Sequence, residues 1–301
     1  MSLPVAFIAV VLIWSTTPLA IQWSALGAGF GFAVFARMAL GVILCALLLV
    51  ALRIRMPWHR SARLTYAVGG SSVFGAMTLT YWASQYISSG LVAVLFGLSP
   101  LITGLGAAYW LKESAFTWNK IGGMLLGLIG LGMIFYHNLF LGAHAFGGIA
   151  AVLGAVTVQS LGMVWMKRIG DQSSPVAINL GVLLFALPLF ALTWWVTDGS
   201  VPVAMPKIAA IAIAYLGLFG SVIGFVLYFY MIKHMETGRV ALITLITPVS
   251  ALLLGHGFNA EAVSLNVWIG TAGILAGLSL HQWGHLGWRW LRLKTGSQRS
   301  V

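Results

Sequence analysis

The sequence predicts an all-α polytopic membrane protein, with ten transmembrane helices arranged as two inverted five-helix repeats. Three observations predict it: a composition too apolar for a water-exposed surface, a succession of long apolar runs, and a repeat at fixed offset. Only 7% of the 301 residues are charged and 60% are hydrophobic, and the mean hydropathy is +0.99. A soluble domain carries several times that charge, so most of this surface must face lipid. At roughly 20 residues per crossing, the length accommodates about ten helices and no separate soluble domain. An enzyme or receptor with a separate water-soluble head is therefore not expected.

The net charge of +11 does not indicate a nucleic-acid partner, because the basic residues sit in loops between apolar runs rather than on a basic face. Cys45 is the single cysteine, which rules out a disulfide framework and a cysteine-rich metal site. No metal or cofactor is expected. Met1 to Phe7 contains no basic residue and leads directly into an apolar run, so the first segment reads as a retained helix.

The runs cover about 3–24, 30–52, 64–85, 90–111 and 118–137, then 146–166, 174–196, 208–232, 239–258 and 264–283. They are continuously apolar, whereas barrel strands would be shorter and alternate. Loops rich in Lys and Arg stay in the cytoplasm. With the N-terminus inside, Arg53, Arg55, Arg60, Arg63, Lys112, Lys120, Lys167, Arg168, Lys233, Arg239 and the basic residues of the tail all fall on the cytoplasmic side. Ten helices in the cell inner (plasma) membrane, with both termini in the cytoplasm, satisfy that distribution.

At an offset of 148 residues, Gly90 aligns with Gly238, Val92 with Val240, Ala93 with Ala241, Pro100 with Pro248, Glu113 with Glu261, Ile121 with Ile269 and Gly122 with Gly270, without a gap. Apolar matches between membrane helices are common by chance. A matched Glu in a chain so poor in Glu is not. Five helices per half is an odd number, so the second half (141–285) enters the membrane from the side opposite to the first (1–140), leaving a basic tail at 286–301. Inverted halves around a midplane site characterise alternating-access carriers.

These residues resemble the drug/metabolite transporter superfamily, specifically its EamA-type ten-helix members. The likeness is carried by Leu12-Ile13-Trp14-Ser15 followed by Pro18. It continues from Ser89-Gly90-Leu91 through Pro100 to Leu111-Lys112-Glu113, Trp118 and Gly122-Gly123, and in the second copy from Thr237-Gly238 through Pro248 to Glu261, Trp268 and Gly270. The resemblance implies secondary transport, in a family whose members export amino acids, metabolites and drugs and whose relatives carry sugars or nucleotide sugars. Family exporters of aromatic amino acids look aromatic just before the helix-four proline, where this chain has Phe96-Gly97-Leu98-Ser99.

Pro100 and Pro248 fall near mid-helix, where a proline lacks an amide hydrogen and frees a carbonyl one turn back. Both are candidate hinges, a packing kink being the alternative. Helical spacing then marks the faces that could line a cavity. Trp14 and Ser15 come from helix one, Thr78 and Tyr81 from helix three between Phe74 and Gln85, and Phe96 and Ser99 from helix four before Thr103. Gln159 and Met163 come from helix six with Met166, Tyr215 from helix eight with Phe219, and Thr244 and Thr247 from helix nine. An aromatic lining with neutral hydrogen-bonding groups suits an amphipathic solute of amino-acid size. For any single Ser or Thr, bonding within its own helix is the competing role.

Arg37 is the basic residue well inside a helix. It is expected either to meet a substrate carboxylate or freed carbonyls, or to snorkel to the interface, and the resemblance adds a shared structural role. Asp171, Asp198, Glu236, Glu113 and Glu261 all fall in loops or at helix ends, which leaves no intramembrane carboxylate for a proton relay. Glu113 and Glu261 read as charges favoured at the N-termini of helices five and ten. His256 is the membrane histidine nearest a pathway, either proton-linked or a satisfied structural group beside Glu261. Trp23, Trp82, Tyr109, Trp110, Trp194, Trp195 and Trp268 read as an interfacial belt.

The expected function is therefore export of small amphipathic metabolites, amino acids or related compounds, by alternating access. The expected partners are that solute and lipid. Import or exchange of sugars or nucleosides is the alternative. A membrane enzyme would need a paired nucleophile or clustered carboxylates, neither of which the sequence supplies. A passive sensor would show no saturable counterflow.

Overall fold

In the computed structural model the described residues are 3–112, 118–139, 143–234 and 242–296, and every regular element among them is helical. The order is α1 (Leu3–Ala25), α2 (Phe30–Ala51), α3 (Arg60–Ala83), α4 (Ser89–Phe96), α5 (Ser99–Leu111), α6 (Trp118–Leu139), α7 (Ala143–Ile169) and α8 (Pro175–Thr197). After α9 (Lys207–Tyr215) a π-helix (Leu216–Ile223) runs into α10 (Gly224–His234), and α11 (Leu242–Asn259) and α12 (Leu265–Gly296) follow.

Among the described residues, six helical spans are long and apolar enough to cross a bilayer: Leu3–Ala25, Phe30–Ala51, Ser89–Leu111, His144–Ile169, Pro175–Thr197 and Lys207–Tyr228. Ile121–Ile134 and Leu265–Leu280 are shorter apolar helices. The bundle turns large apolar side chains outward, among them Leu47, Leu128, Leu192 and Leu253, as a lipid solvent allows. Tyr109 and Trp195 are strongly exposed, in keeping with a belt position.

The helices follow the apolar runs with local differences. α3 begins at Arg60, a turn earlier than hydropathy marks it, and its small residues let neighbours approach. Gly70 abuts Phe185 of α8, and Ser72 abuts Gly162 of α7 while its hydroxyl donates to the Val158 carbonyl at 3.1 Å. Close approach of this kind replaces bulk apolarity as the source of cohesion between membrane helices. α12 is helical to Gly296, so most of the stretch read from sequence as a tail continues the helix. α6 and α12 meet backbone to backbone, a Cβ on Gly130 falling against Gly270 and Ile274 and one on Gly277 against Gly123 and Gly127.

Two interruptions matter for the site. The fourth apolar run is split between Phe96 and Ser99, with Pro100 at the start of α5. The proline leaves the Phe96 carbonyl without its helical donor, and Ser99 Oγ donates to it at 2.6 Å. The eighth run carries the π-helix, a wide turn that often marks functional positions. α11 passes through Pro248 unbroken. The Pro248 ring packs on Gly97, 3.4 Å from where a Cβ would stand, so the break after α4 abuts the proline of α11.

Candidate functional site

The polar groups form two assemblies, one at an end of the bundle and one inside it. The end assembly is built on Glu261, in the loop between α11 and α12. Its Oε1 accepts from Ser89 N (3.1 Å) and Ser89 Oγ (2.7 Å), and its Oε2 accepts from Gly90 N (3.2 Å). These are orphan donors at the start of α4, where a carboxylate also meets the positive end of the helix dipole. Sequence reasoning had assigned Glu261 to the start of its own next helix. The carboxylate instead caps α4, because the loop of Ala260–Ser264 turns it back across the bundle. Glu113, assigned by the same argument, lies outside the described residues.

Asn259 extends the cap, donating to Glu261 Oε1 (3.1 Å) and to Gln22 Oε1 of α1 (3.0 Å) and accepting from Trp23 Nε1 (3.3 Å). Gln22 in turn donates to the Ser84 (3.3 Å) and Ile87 (2.8 Å) carbonyls after α3. The ends of α1, α3 and α11 and the start of α4 are thereby tied together. His256 Nδ1 lies 3.0 Å from the Glu261 carbonyl, which makes it a bonded neighbour of this cluster, on the exposed side. Trp23, read as a belt residue, belongs to it as well. At the same end Asp198 accepts from Phe32 N (2.6 Å) and caps α2. At the other end, Arg53, Arg55, Arg60, Arg63, Lys112, Lys167 and Arg168 are exposed, and a His59–Asp171 pair at 2.9 Å ties the start of α3 to the loop after α7.

Inside the bundle the pattern reverses. Among the described residues, seven buried side-chain polar atoms have no hydrogen-bond partner, and they belong to Ser15, Arg37, Thr65, Thr78, Tyr81, Gln159 and Asp171. Five of those seven residues, Ser15, Arg37, Thr78, Tyr81 and Gln159, are on the list of expected substrate contacts. Buried polar groups normally find partners, so a group of exceptions on facing helices requires a reason.

Arg37 is 3% exposed, which overturns the snorkelling alternative. Its Nε donates to Ser221 Oγ of the π-helix at 3.0 Å. Asn179 of α8 holds that segment from behind, donating to the Ser221 carbonyl at 2.9 Å. A Cβ on Gly220 would stand 2.9 Å from Arg37 Nη2. One turn on, a Cβ on Gly224 would stand 3.3 Å from Ile13 and 3.4 Å from Trp14 Nε1. Arg37 and Trp14 thus approach the same glycine face from two helices. Trp14 also packs on Tyr228 (centroids 4.8 Å apart) and Phe225 (6.4 Å). Tyr215 stacks on Phe219 (5.1 Å), and its hydroxyl pairs with Thr16 of α1 at 2.6 Å. Tyr81 is fully buried in the apolar cluster that also holds Val34 and Met38, the residues flanking Arg37's turn of α2.

The remaining expected contacts divide. Phe96 and Thr247 are half-buried on the helices that meet at Gly97 and Pro248. The Ser99 hydroxyl is engaged by the Phe96 carbonyl, so its role is to mend the helix break. Met163 is 38% exposed on the flank of α7. Phe74 packs on Phe190, and Gln85 is exposed. The side chain of Thr244 lies outside the described residues. A groove of about 390 Å³ between Ala67, Ser71 and Ser72 of α3 and Val158, Gly162 and Trp165 of α7 opens on the flank of the bundle, and none of the expected contacts lines it. Sequence reasoning missed Thr16, Gln22, Asn179, Ser221, Tyr228 and Asn259. The signal available was polar type alone, since their partners lie on distant segments.

An apolar helical bundle with polar groups held unpaired inside and ion-capped helices at its end is an integral membrane protein built around a polar interior. More particularly, the chain belongs to the EamA-like transporter family, whose model matches residues 2–136 and 146–281. It is 27% identical over 279 residues to the uncharacterized inner membrane transporter YedA of Escherichia coli K12, covering 88% of this chain and 85% of that one. A Streptantibioticus cattleyicolor protein named for terminal-alkyne amino-acid export is 25% identical over 282 residues, 91% of each chain. A crystal structure superposes with a TM-score of 0.63 over 93% of this chain and 97% of its own, at 20% identity, a likeness of fold alone.

Proposed function

We propose that this protein is an inner-membrane secondary transporter that moves small amphipathic metabolites of amino-acid size outward by alternating access. The observation that carries the reading is the set of buried, unpartnered polar groups on α1, α2, α3 and α7, Ser15, Arg37, Thr78, Tyr81 and Gln159. A packed interior pairs such groups; a cavity for a polar solute must offer them. Trp14, Tyr215, Phe96 and Thr247 complete the lining, and Gly97–Pro100 with Pro248 form the hinge. The ten-helix arrangement with inverted halves (1–140 and 141–285) is supported by the two matched family segments and by the repeat at offset 148. Both termini are inside, supported by the basic residues gathered at the His59 end. The Glu261 cluster then closes the outer mouth, and opening outward requires it to part. The names of two relatives, an inner membrane transporter and an amino-acid exporter, support membrane and solute class.

Transport is uncoupled or weakly coupled, since no described carboxylate lies buried mid-membrane and His256 is engaged at an exposed end. Purified protein screened by thermal shift against amino acids, polyamines, nucleosides and drugs identifies the solute. Counterflow of that solute in proteoliposomes, with and without a pH gradient, tests the mechanism. Saturable flux without a gradient is expected. Absence of flux sinks the reading, and strict proton dependence lost on changing His256 sinks the uncoupled form.

A further inference from the structure

A guanidinium presents five N–H donors and accepts nothing. Arg37 uses one of them, on Ser221 Oγ, while Nη1 is buried with no partner. Among the described residues it is the one charged residue buried as a whole; the Asp171 side chain is also buried, at the end of the bundle against His59. The carboxylates that might neutralise it are engaged elsewhere: Asp198 at the start of α2, Glu261 at the start of α4, and Asp171 with His59. A buried charge without counter-ion is among the most costly arrangements in a protein interior, and an arginine does not escape by releasing its proton. The π-helix carbonyls offer no relief, since none accepts from Arg37.

We infer that the transported solute carries a carboxylate, and that Arg37 receives it; the inference rests on the transport reading above and deepens it. The guanidinium fork matches a carboxylate with two parallel bonds. The Tyr81 hydroxyl, unpartnered in the cluster that also holds Val34 and Met38 of α2, is a further buried donor. Gly220 leaves room at Nη2, and Gly224, about 6 Å further along the helix, brings the Trp14 indole to the same face. A carboxylate on Arg37 and an apolar group against Trp14, Phe225 and Tyr228 describe one solute, an amino acid or other substituted monocarboxylate. A dianion such as a phosphate monoester fits less well. No second buried cation stands among the side chains whose burial is described to balance its second charge.

The test compares the standard L-amino acids and short-chain monocarboxylates, each beside its own carboxamide, by thermal shift on the purified protein and by counterflow in proteoliposomes. At least one carboxylate binds, and its carboxamide binds on the order of tenfold or more weakly, because the site's donors are left unanswered. Arg37→Gln removes the preference and Arg37→Lys keeps part of it. Gly220→Ala retains the arginine but presses on Nη2, the flexible end of the side chain, and so weakens the carboxylate while sparing the fold. It therefore decides the matter if Arg37→Gln does not fold. Equal binding of acid and amide, a preference that survives Arg37→Gln and Gly220→Ala, or no carboxylate that binds overturns the inference. Saturable flux of amides alongside such a result leaves transport standing, whereas loss of saturable flux for every solute overturns the transport reading itself.

Discussion

The Glu261 cluster and the interior around Arg37 hold comparable polar groups and treat them in opposite ways. At the end of the bundle one carboxylate answers four donors from α4 and Asn259, and Asn259 passes the connection to α1. Inside, a guanidinium, a tyrosine, a glutamine, a threonine and a serine are left with unanswered atoms. The end faces bulk solvent and yet is bonded; the interior is buried from it and keeps unpartnered atoms. Stability alone would produce the reverse, because an unmet buried group costs more than an unmet exposed one. Under the transport proposal, the end would serve to close and the interior to receive.

The largest effect is expected from wedging the Glu261 end of the bundle. A Cβ on Gly90 would stand 2.9 Å from the Leu252 Cα, a backbone atom that cannot step aside. Gly90→Leu should therefore separate α4 from α11 and cost about 3 kcal/mol by overpacking. It should also expose a Ser15→Cys thiol to an impermeant reagent, a measurement helped by the burial of the native Cys45. Gly132→Leu, where no atom lies within 4 Å, is the matched control and should change neither stability nor labelling. Equal effects of the two would mean that the closed end has no special role.

Removing the hub is next in size. Glu261→Ala leaves Ser89 and Gly90 of α4 uncapped and should lower stability by about 2 kcal/mol, near the upper end for a helix cap. Glu261→Gln, which keeps an acceptor without the charge, should recover roughly half of that loss. Labelling of Ser15→Cys should rise with the loss of stability across this pair. If stability falls and labelling does not, the cluster is a cap and not a closure. Asn259→Ala should follow at about 1 kcal/mol, since its bonds lie on the exposed side, where water replaces them.

Much of the frame is legible in the sequence because hydropathy and length act locally: the starts of α1 and α2 and the ends of α5 and α8 fall where the apolar runs place them. Pro100 also acts locally, and the break before it follows from its missing amide. What stays hidden depends on partners far along the chain. Nothing near Glu261 in sequence points to Ser89, and nothing near Gln22 points to Asn259. The π-helix is hidden for a related reason. Leu216–Ile223 has the residues of an ordinary helix, and its wide turn becomes readable once Ser221 is seen held between Arg37 and Asn179. Ser15, Arg37, Thr78, Tyr81 and Gln159, which carry buried unpartnered atoms, are nonetheless among the residues the sequence singles out, because a polar residue in an apolar run is conspicuous before its neighbours are known.

The smallest effect bears most directly on the interior. Tyr81 is fully buried and its hydroxyl has no partner, so folding removes that group from water without compensation. Tyr81→Phe deletes the oxygen and keeps the ring, and should raise stability by about 0.5–1 kcal/mol, at the low end of the range for relieving an unbonded hydroxyl. If the hydroxyl is present for the solute, the same change must weaken transport, a rise in thermal stability accompanying a fall in counterflow. Thr78→Val should repeat the pattern on the same face of α3, one helical turn away. A Tyr81→Phe protein that is less stable would show the hydroxyl to be bonded in the folded state. One that is more stable and equally active would remove Tyr81 from the site and leave Arg37 to hold the solute without it.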